Sequence, residues 1–311
     1  MAVVRGATPL GEQNRMEKLG FLGLGIMGTP MSRNLLKAGF DLMVFDVDAA
    51  KVSPLVDEGA KAAANPAEMA ARVDIMLACL PSADIVNNVV NGKDGILQGC
   101  RKGQLFVDMT TSYPEASIAV SKKLESKGVE MLDAPVSGGD IGAEQATLSI
   151  MCGGARDAYE RCMPVFRAMG RRITLMGEQV GAGGYAKLTN QIMVSIHLAS
   201  VAEAFVFAKK AGLDLAKLVP ALEAGWANST VLNVKAPKIL KNDYSPAGTV
   251  RVQHKDLSYI LRTMDSLGMK LPLCPQIHAM YQQLIDAGED GVDQMALIHV
   301  FEQIAGVRMN E

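Results

Sequence analysis

The residues best placed for acid–base chemistry follow a run of glycines in the second half of the chain. Segment 181–191 reads GAGGYAKLTNQ, so Lys187 comes just after three glycines, and Asn190 and Gln191 follow three and four residues later. Residues at these spacings share one face of a helix. A lysine in a dry cleft has a lowered pKa and exchanges a proton with a reacting oxygen. The segment therefore predicts a general acid–base lysine with amide groups beside it.

A glycine-rich segment near the N-terminus has the GxGxxG spacing of a dinucleotide site. Its residues are Gly23, Leu24, Gly25, Ile26, Met27 and Gly28. An apolar run precedes it and an amphipathic stretch follows, so a strand, a tight turn and a helix are expected, with helix N–H groups facing a pyrophosphate. Asp46 ends the next apolar run, where a carboxylate binds ribose hydroxyls and repels a 2′-phosphate. The pattern favours NAD over NADP, although the glycines alone also fit a flavin or an ordinary turn.

A third segment predicts an anion-binding loop. Ser137, Gly138 and Gly139 follow the apolar run that ends at Asp133. A hydroxyl and free backbone N–H groups at the end of a strand can bind a carboxylate. A lone SGG sequence is equally typical of a simple tight loop, so this segment predicts an anion site only in combination with the neighbouring motifs.

Composition excludes several classes of function. The 311 residues carry a formal net charge of -2 with scattered basic residues, which gives no basis for binding nucleic acid or a membrane surface. The four histidines lie far apart, so we expect no metal site. The five cysteines include no CxxC pair, which is typical of reduced, mostly buried thiols in a cytoplasmic protein. No apolar run reaches the roughly 18 residues of a membrane span.

The first half of the chain alternates apolar runs with helix-compatible stretches. Predicted strands are Leu19–Leu24, Leu42–Asp46, Val73–Leu80, Leu105–Asp108, Glu130–Asp133 and Leu148–Cys152. Predicted helices between them include Ile26–Ala38, Pro66–Arg72 and Ala116–Lys127. This alternation predicts a doubly wound, mostly parallel α/β sheet, a Rossmann domain that binds NAD, over residues 16–179. Residues 1–15 are predicted to be a disordered extension, or the result of an upstream start codon.

Strand patterns nearly disappear after Met176, and helical patterns replace them. Predicted helices are Tyr185–Ala211, Ala216–Ala224, His254–Leu267, Pro275–Ala287 and Met295–Ala305. We therefore expect an all-α C-terminal domain over residues 180–311, which serves substrate binding and oligomerisation. The long helix after Gly184 would join the domains rigidly and leave a cleft between them, a favoured place for a ligand.

Taken together, the motifs resemble the β-hydroxyacid dehydrogenase family from about Lys18 to the end of the chain. The resemblance rests on GLGIMG at 23–28, DAPVSGG at 133–139, GAGGYAKLTNQ at 181–191 and HKDL at 254–257. It implies that Lys187 is the catalytic lysine and that Asn190 binds substrate. It also implies a pocket for the substrate carboxylate at Ser137, Gly138 and Gly139. Cofactor contacts are implied for Leu80, Pro81 and Lys255, while Thr111 would contact the nicotinamide ribose or the substrate.

The chain departs from the family pattern at three positions. Gln191 stands where some members carry Asn, which leaves its role open. Thr110 stands where Ser is usual, and Ala146 where the family often has Gly. At Ala146 we expect a small local adjustment of the backbone rather than a lost site.

The resemblance implies an NAD-dependent oxidoreductase that interconverts a small β-hydroxy acid and its semialdehyde without a metal. Segments 225–237 and 187–191 are most similar to the tartronate semialdehyde (2-hydroxy-3-oxopropionate) reductase branch, which makes D-glycerate and tartronate semialdehyde the leading pair. The alternatives are 3-hydroxyisobutyrate dehydrogenase and a succinic semialdehyde or glyoxylate reductase. A non-catalytic dinucleotide-binding scaffold is a different class, which the presence of Lys187 disfavours, and imine reductases usually lack this lysine. The family also implies a homo-oligomer, a dimer or tetramer, in the cytoplasm.

Overall fold

The computed structural model describes residues 17–310, so the extension predicted over residues 1–15 lies outside the described residues. Within residues 17–310 the strands form one nine-stranded sheet. Their bounds are β1 (Leu19–Leu22), β2 (Leu42–Phe45), β3 (Lys61–Ala62), β4 (Ile75–Ala78), β5 (Leu105–Asp108), β6 (Glu130–Asp133), β7 (Val136–Ser137), β8 (Leu148–Gly153) and β9 (Gly170–Gly177).

Helices cover the sheet and then form a separate bundle. Those between the strands are α1 (Gly28–Lys37), α2 (Ala49–Asp57), α3 (Pro66–Arg72), α4 (Ala83–Asn91), α5 (Ile96–Gly99), α6 (Pro114–Glu125), α7 (Gly139–Glu144) and α8 (Arg156–Arg167). The bundle contains α9 (Ala182–Lys210), α10 (Leu215–Glu223), α11 (Thr230–Leu240), α12 (Val250–Ser266), α13 (Leu273–Asp286) and α14 (Leu297–Ala305), with a short 3-10 helix at Gln294–Ala296.

The sheet runs in the order β3-β2-β1-β4-β5-β6-β8-β7, with β9 paired to β8. Strands β1 to β6 are parallel, whereas β8 is antiparallel to β6 and β7. Every residue of β1, β4 and β5 is buried, because helices cover both faces of the sheet, and these strands therefore are uninterrupted apolar runs. The predicted Rossmann domain followed by an all-α domain is confirmed.

Some elements carry no signal that sequence patterns can detect. The two-residue strands β3 and β7 are too short to show a periodicity. Strand β9 holds Arg171 and Arg172 at an exposed edge, which breaks its apolar pattern. Helix α11 contains Pro237 in its interior, and a proline there is typical of a helix end rather than of a continuous helix.

Helix α9 forms the centre of the C-terminal bundle. Its buried side chains, which include Leu198, Phe205 and Val206, pack in the core shared with α11 to α14. By length and composition α9 could cross a membrane, which corrects the expectation that no segment is apolar enough. The apolar face has a ready explanation in the bundle core, since core helices of soluble proteins share this composition.

The five cysteines are all free thiols, and three of them are fully buried. Parallel strands β1, β4, β5 and β6 end at one edge of the sheet, and the segments that follow them are therefore neighbours. The start of α9 packs against β6, β8 and α6 beside this edge. The fold thus brings the glycine-rich turn, the SGG loop and the lysine segment to one side of the molecule.

Candidate active site

The glycine-rich turn after β1 combines tight packing on one side with open space on the other. Gly23 has a φ of 93°, and a side chain there would overlap the carbonyl oxygen of Cys79. A side chain at Gly28 would overlap the carbonyl oxygen of Gly23. Gly25, in contrast, is exposed and a Cβ there would have no neighbour within 4 Å. The turn is therefore held against β4 while the backbone at Gly25 faces free space.

The N-terminus of α1 can accept an anion. Its N-cap residue, Met27, makes no side-chain capping bond, and the first turn contains no acidic residue. Among residues 17–310, the backbone N–H groups of Gly25, Ile26 and Met27 have no acceptor. Free N–H groups at the positive end of a helix suit a phosphate. These residues, with the open space at Gly25, fit the pyrophosphate of a dinucleotide.

Asp46 lies beside this turn, as the sequence predicts, directly after β2. Its Oδ2 accepts a hydrogen bond of 2.7 Å from Leu24 N, and its Oδ1 accepts one of 2.9 Å from Asp48 N. The Lys51 ammonium is 3.9 Å from the carboxylates of both Asp46 and Asp48. The carboxylate is thus fixed next to the glycine-rich turn, in a patch with two acidic groups and one basic group.

A buried carboxylate organises the second cofactor segment. Asp108, at the end of β5, accepts a bond of 3.0 Å from Thr110 N, and Thr110 Oγ1 accepts one of 3.0 Å from Leu80 N. Burial raises the pKa of Asp108 to about 6. Thr110 keeps the hydroxyl of the Ser usual in the family, so this departure preserves the link that positions Leu80 and Pro81. Thr111 follows, half-buried.

The SGG segment joins β7 to α7, with Ser137 at the end of the strand and Gly139 at the start of the helix. Ser137 is half-buried, while Gly138 and Gly139 are exposed and have φ values of 138° and 65°. Such positive φ values favour glycine. Ala146, near the end of this segment, has a φ of 55°. The expected local adjustment therefore takes the form of an alanine held in a left-handed conformation that suits glycine.

Lys187 is buried on the second turn of α9, with 7% of its surface exposed. Burial lowers the pKa of its amine below the usual 10.5, and the charge of Lys255 lowers it further, while Asp256 and Cys79 oppose the shift. Cys79 directly follows β4 and precedes Leu80 of the predicted cofactor segment. The lysine is therefore held where the sheet edge meets the helical domain, away from bulk solvent.

A chain of polar side chains links Asn190 to Lys255 through Gln191 and Asp256. Asn190 Nδ2 donates to Gln191 Oε1 at 2.9 Å, and Gln191 Nε2 donates to Asp256 Oδ2 at 2.6 Å. Lys255 Nζ is 3.1 Å from Asp256 Oδ1. Gln191 and Asp256 are buried, so these bonds are protected from water. Gln191 thus connects the Asp256 carboxylate to the Asn190 amide, and these bonds orient the Asn190 amide. We refer to this connection as the relay.

Asp256 is a site residue that no sequence pattern singled out. It lies in the HKDL segment beside Lys255, but its partner Gln191 is 65 residues away in the chain. A buried carboxylate between two lysines is a feature that only the folded chain reveals. The HKDL segment therefore contributes, beside Lys255, an acidic residue to this chain of polar contacts.

Helix α12 also holds the two domains together. Tyr259 Oη accepts a bond of 3.2 Å from Ala83 N, and its ring lies 5.2 Å from that of Tyr113. The Arg262 guanidinium carbon is 4.0 Å from the centre of the Tyr113 ring, a favourable cation–π contact. These contacts bring Lys255, one turn before Tyr259, to the cofactor side of the cleft. Across residues 17–310 no group of three or more His, Cys, Asp or Glu side chains could hold a metal ion.

Two family models match consecutive parts of the chain. Residues 18–177 match the NAD binding domain of 6-phosphogluconate dehydrogenase. Residues 181–301 match a domain described as the NAD-binding domain of NADP-dependent 3-hydroxyisobutyrate dehydrogenase.

Curated relatives are similar along nearly the whole chain. The 2-hydroxy-3-oxopropionate reductase of Escherichia coli K12 is 36% identical over 296 residues, which cover 94% of this chain and 99% of that protein. The 2-(hydroxymethyl)glutarate dehydrogenase of Eubacterium barkeri is 35% identical over 294 residues, covering 94% and 97%.

Solved structures agree with this similarity. A 3-hydroxyisobutyrate dehydrogenase from Salmonella typhimurium superposes with a TM-score of 0.85 at 29% identity, over 92% of this chain and all of that one. A Mycobacterium tuberculosis 3-hydroxyisobutyrate dehydrogenase with L-serine gives 0.84 at 31% identity, over 92% and 99%. The chain belongs to the β-hydroxyacid dehydrogenase family, and it is an NAD(P)-dependent enzyme that acts on the hydroxyl group of hydroxy acids.

Proposed function

We propose that this enzyme interconverts D-glycerate and tartronate semialdehyde with NAD, and that Lys187 transfers the proton. The observation that carries the proposal is the buried Lys187 amine between the sheet edge and α12, with its pKa lowered by burial. A surface lysine would have neither the shifted pKa nor the dry surroundings that favour proton transfer to a substrate oxygen. This placement favours a catalytic protein over a non-catalytic dinucleotide-binding scaffold.

The proposed mechanism needs only a proton carrier and a bound cofactor. When bound, the nicotinamide supplies the hydride for reduction and accepts it in oxidation. The Lys187 ammonium gives its proton to the nascent alkoxide, and in the reverse direction the neutral amine takes the alcohol proton. Burial and Lys255 favour the neutral amine, while Asp256 favours the charged amine. Contacts between α12 and the sheet domain hold the two sides of the cleft together.

The substrate carboxylate would be held by the SGG loop and by Asn190. Ser137 offers a hydroxyl, and Gly138 and Gly139 offer exposed backbone. One N–H of the Asn190 amide is committed to Gln191, which leaves the second for an anionic oxygen. Thr111 lies in the segment between Thr110 and Ser112 and adds a second hydroxyl. This donor set suits a short acid with its hydroxyl on the β carbon.

The preference for NAD follows from the charges after β2. Asp46 and Asp48 outnumber Lys51, so an added 2′-phosphate would meet net negative charge there. The family model that matches residues 181–301 is described as NADP-dependent. The proposal of NAD preference therefore rests on Asp46 and Asp48 in the sheet domain.

The substrate pair is supported by the relative from Escherichia coli, whose name specifies 2-hydroxy-3-oxopropionate. The second candidate, 3-hydroxyisobutyrate, is supported by the two superposed structures that carry that name. We also propose a cytoplasmic homo-oligomer, a dimer or tetramer. The exposed apolar side chains of Met193 and Phe207 on α9 support self-association, which sedimentation analysis would measure.

The test is a panel of short acids assayed by nicotinamide absorbance with both cofactors. It includes D-glycerate, L-glycerate, 3-hydroxyisobutyrate, 4-hydroxybutyrate and glycolate, with the matching semialdehydes. We expect the highest kcat/KM for tartronate semialdehyde, at least about tenfold above the other aldehydes, and higher rates with NADH than with NADPH. A higher kcat/KM for methylmalonate semialdehyde than for tartronate semialdehyde would instead identify the enzyme as a 3-hydroxyisobutyrate dehydrogenase. Equal or better rates with NADPH would contradict the role given to Asp46.

A further inference from the structure

The carboxylate of Asp133 contacts the start of helix α9 directly. This residue ends β6 and is buried, with 2% of its surface exposed. Its Oδ1 accepts a bond of 2.7 Å from Gly181 N, and its Oδ2 accepts one of 2.6 Å from Gly184 N. The first N–H groups of a helix have no partner within the helix, and Gly181 supplies no side-chain cap. Asp133 therefore caps α9 from a strand about 50 residues earlier in the chain.

The packing around this carboxylate requires glycine on both sides. A side chain at Gly183 would overlap the backbone oxygens of Asp133 and Met151. A Cβ at Gly153 would lie 2.5 Å from Asp133 Oδ1 and 2.6 Å from Gly183 N. The glycines before Lys187 thus allow the helix end to lie directly on β6 and β8. Two charge-assisted bonds at the positive end of the helix then fix its position.

Asp133 stands between two parts of the proposed site. Ser137 follows it by four residues on the next strand, and Lys187 follows Gly184 by three residues on the helix. We propose that Asp133 is a positioning residue, which fixes the Lys187 amine relative to the SGG loop by holding the first turn of α9. The contacts of the carboxylate are a property of the fold, while their effect on catalysis rests on the proposed role of Lys187.

Other groups near the carboxylate oppose its charge. Burial and the charge of Asp108 on the adjacent strand together raise the pKa of Asp133 to about 7, although the bonds from Gly181 and Gly184 act to lower it. Cys152 of β8 faces the same carboxylate and has its pKa raised by burial and by that charge. An acidic side chain is costly in these surroundings. Two backbone donors at a helix terminus give a specific reason for its presence.

The experiment compares Asp133→Asn with a matched control, Asp293→Asn. Asparagine keeps the shape but turns an NH2 group toward one of the two backbone donors. Asp293 is also buried and accepts bonds from Met295 N and Lys235, yet none of its hydrogen-bond partners is a site residue. Both substitutions should lower stability. The two variants therefore separate a loss of stability from a loss of positioning.

We expect Asp133→Asn to lower kcat by about 10- to 100-fold with NAD affinity within about threefold of wild type. The pKa seen in the rate of hydroxy-acid oxidation should rise, because a displaced lysine is better solvated. Asp293→Asn, measured per folded molecule, should keep kcat within about threefold. Hydrogen exchange of peptides covering 178–188 should accelerate in Asp133→Asn alone, and this measurement needs no turnover.

A second pair of variants covers the case in which Asp133→Asn does not fold. Gly184→Pro deletes the N–H that reaches Oδ2, and its ring carbon would stand where that proton now meets the carboxylate. Gly184→Ala retains this N–H and places its Cβ at an ordinary 3.5 Å from its neighbours. Faster exchange in the proline variant than in the alanine variant is expected.

Unchanged exchange over 178–188 in both Asp133→Asn and Gly184→Pro would overturn the capping contact. Faster exchange with wild-type kcat and pH profile would overturn the positioning role. If wild type turned over no acid on the panel, the proposed function would fail while the exchange result still tested the contact.

Discussion

The two glycine-rich helix starts in this chain look alike in sequence and differ in what they bind. At the start of α1, Gly25 faces open space and the nearby N–H groups have no acceptor among residues 17–310. At the start of α9, the N–H groups of Gly181 and Gly184 already bind Asp133, and Gly183 is packed against backbone. One helix end is open to an external anion, while the other holds an anion of the protein itself.

The difference shows that glycines before a helix do not by themselves identify a ligand site. In both places glycine permits a close approach to the helix terminus, but the approaching group would be a cofactor phosphate in one, as proposed, and is a strand in the other. The distinction lies in whether a protein carboxylate occupies the N–H groups. Substitutions at the two sites should therefore affect different properties of the enzyme.

The largest expected effect on stability comes from Gly183→Ala. The new methyl group would meet the backbone oxygens of Asp133 and Met151, which cannot move aside, so we expect a loss of about 3 kcal/mol in the free energy of unfolding. Gly25→Ala is the matched change at the open site and should alter stability by no more than about 1 kcal/mol. Calorimetric titration of the Gly25→Ala variant with NAD should instead show a Kd at least about tenfold higher than that of wild type. The opposite pattern would remove the distinction between the two sites.

A smaller effect is expected within the polar chain beside Lys187. Gln191→Met keeps the length of the side chain but breaks its bonds to Asn190 and Asp256. With the amide of Asn190 no longer oriented, the KM for the hydroxy acid should rise by about tenfold, with a loss of about 1–3 kcal/mol in stability. Thr189→Ala, an exposed change on the same turn, is the control for steady-state kinetics. An unchanged KM in Gln191→Met would show that the relay does not serve substrate binding.

Much of the fold was predictable because the central strands are buried on both faces. Strands β5 and β6 and helix α3 have the predicted bounds, since apolar runs and a proline at a helix start are local signals. The contacts of the carboxylates were not predictable. Asp133 and Asp256 bind partners that are 48 and 65 residues away, and no local pattern specifies such pairs.

For the predicted site residues, too, local sequence signals indicate the segment but not the contacts that its side chains make. Asp46 lies beside Leu24, and Lys187 is buried near Lys255, as the order of the motifs suggested. The role of Gln191 had no local signal, because its partner Asp256 comes from another helix. Sequence patterns thus locate the segments, while the fold decides which polar groups in them face one another.

The smallest expected effect concerns Ala146, the alanine in a glycine-like conformation. Its φ of 55° strains an alanine but not a glycine, so Ala146→Gly should stabilise the protein by about 0.5–1 kcal/mol in urea unfolding. Ala143→Gly, in helix α7 with ordinary backbone, should destabilise it by about 1 kcal/mol. A loss of stability in both variants would mean that the conformation at Ala146 carries no strain.

The pH dependence of hydroxy-acid oxidation in wild type and Lys187→Met tests the central claim most directly. Oxidation needs the neutral amine, so the wild-type rate should rise with pH and reach a plateau. The midpoint of the rise reports the pKa of Lys187, which should lie below the usual 10.5 of lysine. Lys187→Met should bind NAD with a Kd within about threefold of wild type, lose about 10²- to 10⁴-fold in kcat, and lack this rise. A methionine variant that keeps the wild-type rate, or the same rise with pH, would contradict the account.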